Sequence, residues 1–195
     1  MTTAAALPRR EQLLEAAAHL FADRGFHAVG IDDIGAAAGI SGPGVYRHFP
    51  SKAALLEALC DRAMTRMLDG ARSIVESAAS PADALEGLVE LHAAFGVTER
   101  ALIGVWEREM RSLSDDVRRS LRRRMRSYEQ LWHGVLAPLR EDLEPAEVAV
   151  VVGSTLAMLN GTAFTTPAVG PERLEALLRR MALSALLTRR TPSRR

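Results

Sequence analysis

Residues 30–49 read GIDDIGAAAGISGPGVYRHF, and this stretch decides the fold. Gly39-Ile40-Ser41 separates two short helical segments, with Ile34, Ala38, Ile40 and Val45 apolar where two crossed helices would touch. Gly39 supplies the tight bend, and Ser41 stands where its hydroxyl could cap the second helix. The amides at that helix start suit a phosphate. This spacing predicts a helix-turn-helix, whose second helix would enter the major groove.

Working outward, helix punctuation recurs along the whole chain. Ser41-Gly42-Pro43, Pro50-Ser51, Ser80-Pro81, Ser114-Asp115-Asp116, Glu144-Pro145 and Gly170-Pro171 all read as helix starts, because Pro suits a first helical turn and Ser or Asp the cap before it. The spacing predicts about nine helices, over 8–24, 31–38, 42–48, 51–78, 81–95, 98–112, 115–140, 145–163 and 171–188, and no strand. The fold class is all-α, with a three-helix helix-turn-helix head at 1–52, a helical body at 53–188 and a flexible tail at 189–195. In the first helix Leu13, Leu14, Ala17, Leu20 and Phe21 share one face, and Gly25 closes its last turn.

Composition agrees with helices. Hydrophobic residues make up 48% of the 195, aromatics only 5%, and the dominant Ala and Leu are not β-branched. Lys and Arg total 25 against 24 acidic residues, a formal charge of +1. Affinity for nucleic acid must therefore come from local placement of charge. A single Cys60 cannot form an internal disulfide, and no charged segment precedes an apolar one at the N-terminus. Both features point to the cytoplasm rather than secretion. The apolar stretch 146–159 is interrupted by Glu147, Gly153, Ser154 and Thr155 and reads as a buried helix rather than a membrane span.

LLEAAAHLFADRGF (13–26), IDDIGAAAGIS (31–41) and VYRHFPSKAALLEAL (45–59) together resemble, in order and spacing, the N-terminal domain of the TetR family of transcriptional regulators. Tyr46-x-His48-Phe49-x-x-Lys52 is the most specific piece. The resemblance implies that Tyr46, His48 and Lys52 touch the DNA backbone, that Pro43, Gly44 and Arg47 face base edges, and that Phe49 is core. Physical chemistry concurs: a phenol and an imidazole can donate to phosphate oxygens, and a guanidinium can reach guanine O6 and N7 together. Gly42 and Gly44 have no side chains with which to read bases, so direct readout falls to Arg47. Two departures stand out, Gly30 where the family has Ser or Thr and Gly35 where it has Ala. Gly35 inside a short helix costs about 1 kcal/mol relative to Ala, so Gly35→Ala is expected to stabilise.

The body should dimerise and hold an effector, if the family plan applies. EVAVVVGSTLAMLNGTAF (147–164) is apolar nearly all round, as a helix covered on both faces would be. With the stripe Leu174, Leu177, Leu178, Met181, Ala185 and Leu186, it predicts a homodimer through 145–163 and 171–188. Arg118, Arg119, Arg122, Arg123 and Arg126 share one arc and read as a solvated face. Arg124 falls on the apolar side with Val117, Leu121 and Tyr128, and Glu109 lies among Leu102, Val105, Trp106 and Leu113. Buried charges need compensation: these two either pair with each other or Arg124 meets an anionic ligand. Leu88, His92, Phe95, Trp106, Met110, Tyr128 and Trp132 could line an apolar pocket carrying a few polar groups. Residues 99–140 are similar to TetR-type regulators that respond to acyl-CoA or other lipid-derived acids.

Neither Cys60 nor His19, His27, His48, His92 and His133 show metal-ligand spacing, and no Gly-rich loop follows a strand. The reading is therefore not an enzyme, and it calls for no metal, cofactor or membrane. Expected partners are an inverted-repeat operator in duplex DNA, a small-molecule effector and a second copy of the chain. The rival is a helical ligand-binding or scaffolding protein that does not bind DNA, and the motif from Tyr46 to Lys52 counts against it.

Overall fold

A computed structural model describes residues 8–188; the expected tail at 189–195 lies outside the described residues. Among these, nine α-helices and no strand are present: α1 Arg9–Arg24, α2 Ile31–Ala37, α3 Gly42–Tyr46, α4 Lys52–Ser77, α5 Pro81–Thr98, α6 Arg100–Glu109, α7 Asp115–Leu136, α8 Pro145–Asn160 and α9 Pro171–Leu187. Short 3₁₀ turns extend α6 through Met110–Ser112, α7 through Ala137–Leu139 and α8 through Gly161–Phe164.

The starts follow the capping chemistry in the sequence. Ser51 Oγ accepts the Ala54 amide at 3.0 Å and Ser80 Oγ the Asp83 amide at 3.2 Å, with Pro81 opening α5. Asp115 and Asp116 occupy the first turn of α7, where negative charge favours the helix dipole. The 3₁₀ turn makes Pro145–Phe164 a continuous 20 residues, by length and composition enough to cross a membrane. That exceeds the interrupted stretch the sequence suggested. Only a third of the apolar window is buried, and Val150 is 67% exposed. Within this chain, then, α8 is covered on one face and open on the other.

The chain forms two compact units that do not follow chain order. The first joins the N-terminal residues through Ala63 to Ala101–Leu121; the second joins Met64–Arg100 to the chain from Arg122 onward. The first unit buries Leu13, Leu14, Phe21, Ile34, Val45 and Leu55 completely. Each such side chain contributes on the order of 1.5–3 kcal/mol. In the second unit α5 packs on both α8 and α9. Gly96 permits the α5–α8 approach, since a Cβ there would stand 2.9 Å from the Leu159 carbonyl oxygen, and Thr162 Oγ1 donates to the Gly96 carbonyl at 2.5 Å. Arg140, 3% exposed, forks onto Asp142 with bonds of 2.8 and 2.9 Å and donates to the Leu186 carbonyl at 2.8 Å. This holds the last turn of α9 to the end of α7.

Candidate nucleic-acid interface

The bend between α2 and α3 is a Schellman closure. Gly39 adopts φ +70°, its amide donates to the Ala36 carbonyl at 3.1 Å, and the Ile40 amide reaches back to the Gly35 carbonyl at 2.8 Å. The left-handed backbone is what demands glycine at 39. At the other end of α2, the Gly30 amide donates to the Asp33 carboxylate at 2.8 Å.

Gly35 has a different role from the one its helix propensity suggests. It is buried, and a Cβ there would come within 2.8 Å of the Ile40 carbonyl oxygen and 3.2 Å of Val45 Cγ2. The missing side chain lets the turn and α3 close onto α2, so crowding against backbone opposes the gain expected from Gly35→Ala.

The start of α3 also differs from expectation. Ser41 makes no side-chain capping bond. Its carbonyl takes the Gly44 and Val45 amides at 2.8 and 3.2 Å, and Pro43 has no N–H. Gly42 is buried, and the Asp32 carboxylate fills the space a Cβ on it would need. Few amides therefore point outward, and phosphate binding at this helix start loses its expected donors.

What α3 does present is a sharply divided surface. Gly44 and Val45 face inward, with Gly44 against Ile40, and Phe49 is 2% exposed. Ser41, Pro43, Tyr46, Arg47 and His48 are exposed, Tyr46 by 56%. Of the residues expected at base edges, Gly44 is thus turned away and Pro43 and Arg47 are outward. Two basic residues that the motif did not single out join this region. Arg9 donates to the Ala38 carbonyl at 2.8 Å, and the Arg10 guanidinium lies 4.9 Å from the centre of the Phe49 ring.

Lys52 is not a free phosphate contact. Its ammonium donates to the carbonyls of Phe26 and Val29 at 2.7 Å each and of His27 at 3.5 Å, and sits 4.5 Å above the Phe26 ring. All three of its N–H donors are engaged, so it anchors the α1–α2 loop. No short-range pattern reveals this, because the acceptors become available only once the loop has folded.

A family model for bacterial regulatory proteins of the tetR family matches residues 13–59. A second, for the tetracyclin repressor-like C-terminal domain, matches residues 78–187, more than half of the chain. The chain belongs to the tetR family. This tetR-family chain is 34% identical over 131 residues to the transcriptional repressor KstR2 of Mycobacterium tuberculosis, a match covering 66% of this chain and 64% of that protein. It is 40% identical over 82 residues to the transcriptional activator FasR of Mycolicibacterium smegmatis, covering 42% and 37%. The match thus spans less than two thirds of either relative's length. The solved structure of M. tuberculosis KstR2, a ketosteroid transcriptional regulator, superposes with TM-score 0.79 at 26% identity over 93% of this chain and 94% of that one. The structure of AibR with isovaleryl coenzyme A and operator DNA gives 0.74 at 21% identity over 89% and 97%, a likeness of fold.

The residues expected to meet an effector divide between the two units. In the second, His92, Phe95, Tyr128 and Trp132 form one aromatic cluster with ring centres 5.8–6.4 Å apart, and Leu88 is fully buried. Nδ1 of His92 lies 2.8 Å from the Tyr128 hydroxyl and Nε2 3.0 Å from Asn160 Oδ1. With Nε2 donating to Asn160 and Tyr128 donating to Nδ1, the imidazole is neutral, and burial lowers its pKa to about 4. Burial also pushes the Tyr128 phenol up. The Trp132 indole N–H has no acceptor at hydrogen-bond geometry. Asn160 escaped the sequence reading because nothing in its spacing links it to His92.

Arg124 donates to the Thr65 hydroxyl at 2.5 Å. Trp106, Glu109 and Met110 belong to the first unit. Glu109, 9% exposed, accepts the Phe26 amide at 3.1 Å and the Ser112 hydroxyl at 3.3 Å. Those two groups compensate its burial, and both are fixed by the fold rather than by a ligand.

Proposed function

We propose that the chain is a cytoplasmic, non-enzymatic transcriptional repressor that binds an inverted-repeat operator as a homodimer and releases it when a small apolar or amphipathic effector binds the body. The observation that carries this reading is the outward set Pro43, Tyr46, Arg47 and His48 on and just after α3, above the buried Gly44, Val45 and Phe49. A rigid inner face and a polar outer one are what a helix laid in a major groove requires. Tyr46 and His48 are assigned to phosphates, Arg47 to base edges, with Ser41 and Pro43 beside them. The functional division is a reading head at 1–52 and a sensing body at 53–188.

Dimerisation is assigned to 145–163 and 171–188, supported by the open apolar surface of Val150, Phe164, Met181 and Leu187, each at least 43% exposed. For the effector, the buried His92, Tyr128 and Trp132 with Leu88 and Phe95 are assigned as an apolar lining with few polar groups, and Arg124 as the cation that would meet an acid. AibR with a short acyl-CoA supports a lipid-derived acid or its CoA thioester, and KstR2 as a ketosteroid regulator supports an apolar effector.

The test selects duplexes from a random pool with the purified protein and measures binding by gel shift at fixed salt, with and without acyl-CoA esters of graded length. Enrichment of a palindrome is expected, released by one length class. Arg47→Ala should then weaken the selected duplex by about 1–3 kcal/mol and relax preference at one position of each half-site. No enriched duplex would leave the rival, a helical binding protein without DNA recognition.

A further inference from the structure

Residues 101–121 lie more than fifty residues beyond the helix-turn-helix, yet they cluster with it, and specific bonds account for this. Arg108, in the last turn of α6, donates to the Ala22 carbonyl in α1 at 2.9 Å. Glu109, the last residue of α6, accepts the Phe26 amide at 3.1 Å. Ser112 Oγ stands 3.4 Å from Nε2 of His27. At Phe26 again, the Lys52 ammonium donates to the carbonyl at 2.7 Å. The loop that feeds α2 is thus gripped from both sides, by an ammonium at the start of α4 and a carboxylate at the end of α6.

The grip by Glu109 is not a casual contact. A carboxylate at a helix C-terminus opposes the dipole, and burying one is unfavourable unless hydrogen bonds replace its water. At Glu109 the replacements are the Phe26 amide and the Ser112 hydroxyl. Moving the end of α6 away from the loop would take from the Phe26 amide its acceptor and leave Glu109 with Ser112 alone.

We infer that Glu109 is a positioning residue for DNA binding: by fixing the Phe26 amide while Lys52 holds the Phe26 carbonyl, it sets the seat of α2 and α3 and makes the end of α6 part of the DNA-reading unit. This rests on the DNA-binding reading above. It removes Glu109 from the effector-binding set and places it among the residues that seat the head.

The test compares wild type with Glu109→Leu and Glu109→Gln, using a duplex selected by wild type from random sequence and an unrelated duplex at the same salt. Leucine fills the space without an acceptor and should weaken the selected duplex at least tenfold, leave the unrelated duplex within twofold, and speed exchange of the Phe26 amide. Glutamine keeps an acceptor oxygen and should restore affinity to within threefold of wild type. If Glu109→Leu binds the selected duplex as wild type does, or if Glu109→Gln loses as much as leucine, the inference is overturned. Should Glu109→Leu fail to fold, Arg108→Ala takes its place: a loss of at least threefold on the selected duplex alone supports the inference, and none overturns it. Failure of wild type to select any duplex would sink the DNA-binding reading itself, an outcome distinct from these.

Discussion

Lowering the pH should reveal the buried His92 before any other property of the fold. In the native protein its imidazole is neutral, bonded to Tyr128 and Asn160, with a pKa near 4 against the ordinary 6.5 because burial disfavours the cation. A native pKa below the unfolded one means that the unfolded chain binds the extra proton. The stability is then fully present above the unfolded pKa and is lost as pH falls from about 6.5 towards 4. Between pH 7 and pH 5 the difference in proton uptake amounts to about 2 kcal/mol, which for a chain of this size is a fall in Tm of about 4–8 °C. The control is His92→Gln, whose amide can still donate to Asn160 and accept from Tyr128 but does not titrate. Thermal unfolding followed by circular dichroism at both pH values is the assay, and carboxylate effects common to both proteins cancel. The Tm of wild type should drop more than that of His92→Gln by this margin. Parallel behaviour of the two would refute the reasoning.

Three further outcomes are expected. Gly35→Ala should lower Tm or leave it unchanged, because the gain of about 1 kcal/mol in helix propensity is met by a Cβ 2.8 Å from the Ile40 carbonyl oxygen; differential scanning calorimetry would show it, and a rise of several degrees would contradict the crowding. Lys52→Met should cost about 2–3 kcal/mol in urea unfolding by stranding the Phe26 and Val29 carbonyls, while the slope of log affinity against log salt stays the same; a phosphate contact would instead lower that slope by about 0.9. Cys60 is buried, its thiol pushed up to about 12 chiefly by burial and secondarily by the Asp61 charge, so Ellman's reagent should label it only at the rate of unfolding.

The helix-turn-helix was legible because its determinants are local: Gly39 two positions past α2, Ile34 and Val45 facing across a bend, Pro43 in a first turn. The outward placement of Tyr46, Arg47 and His48 follows from the same periodicity. What the sequence concealed is non-local. Lys52 lies in a motif that suggests phosphate, but its acceptors are carbonyls more than twenty residues away, exposed by a loop conformation no pattern encodes. Gly35 is unfavourable by propensity but lets a turn approach closely. Glu109, placed among apolar neighbours, invited a charged partner, and the fold supplied a backbone amide. Such errors share one cause: propensities and spacings describe a residue's own helix, whereas these roles depend on which backbone groups another segment leaves unbonded.

The five-residue α3 is far below the length at which a helix sustains itself, so its shape is imposed by what it rests on: the Schellman turn, the buried Val45 and the two inward glycines. Its exposed positions 43, 46 and 47 therefore contribute little to folding. Substitution at 43 and 47 can alter which operator is read at small expense to the scaffold, so these two positions are free to diverge between descendants of a duplicated gene while residues 39, 44 and 45 stay fixed.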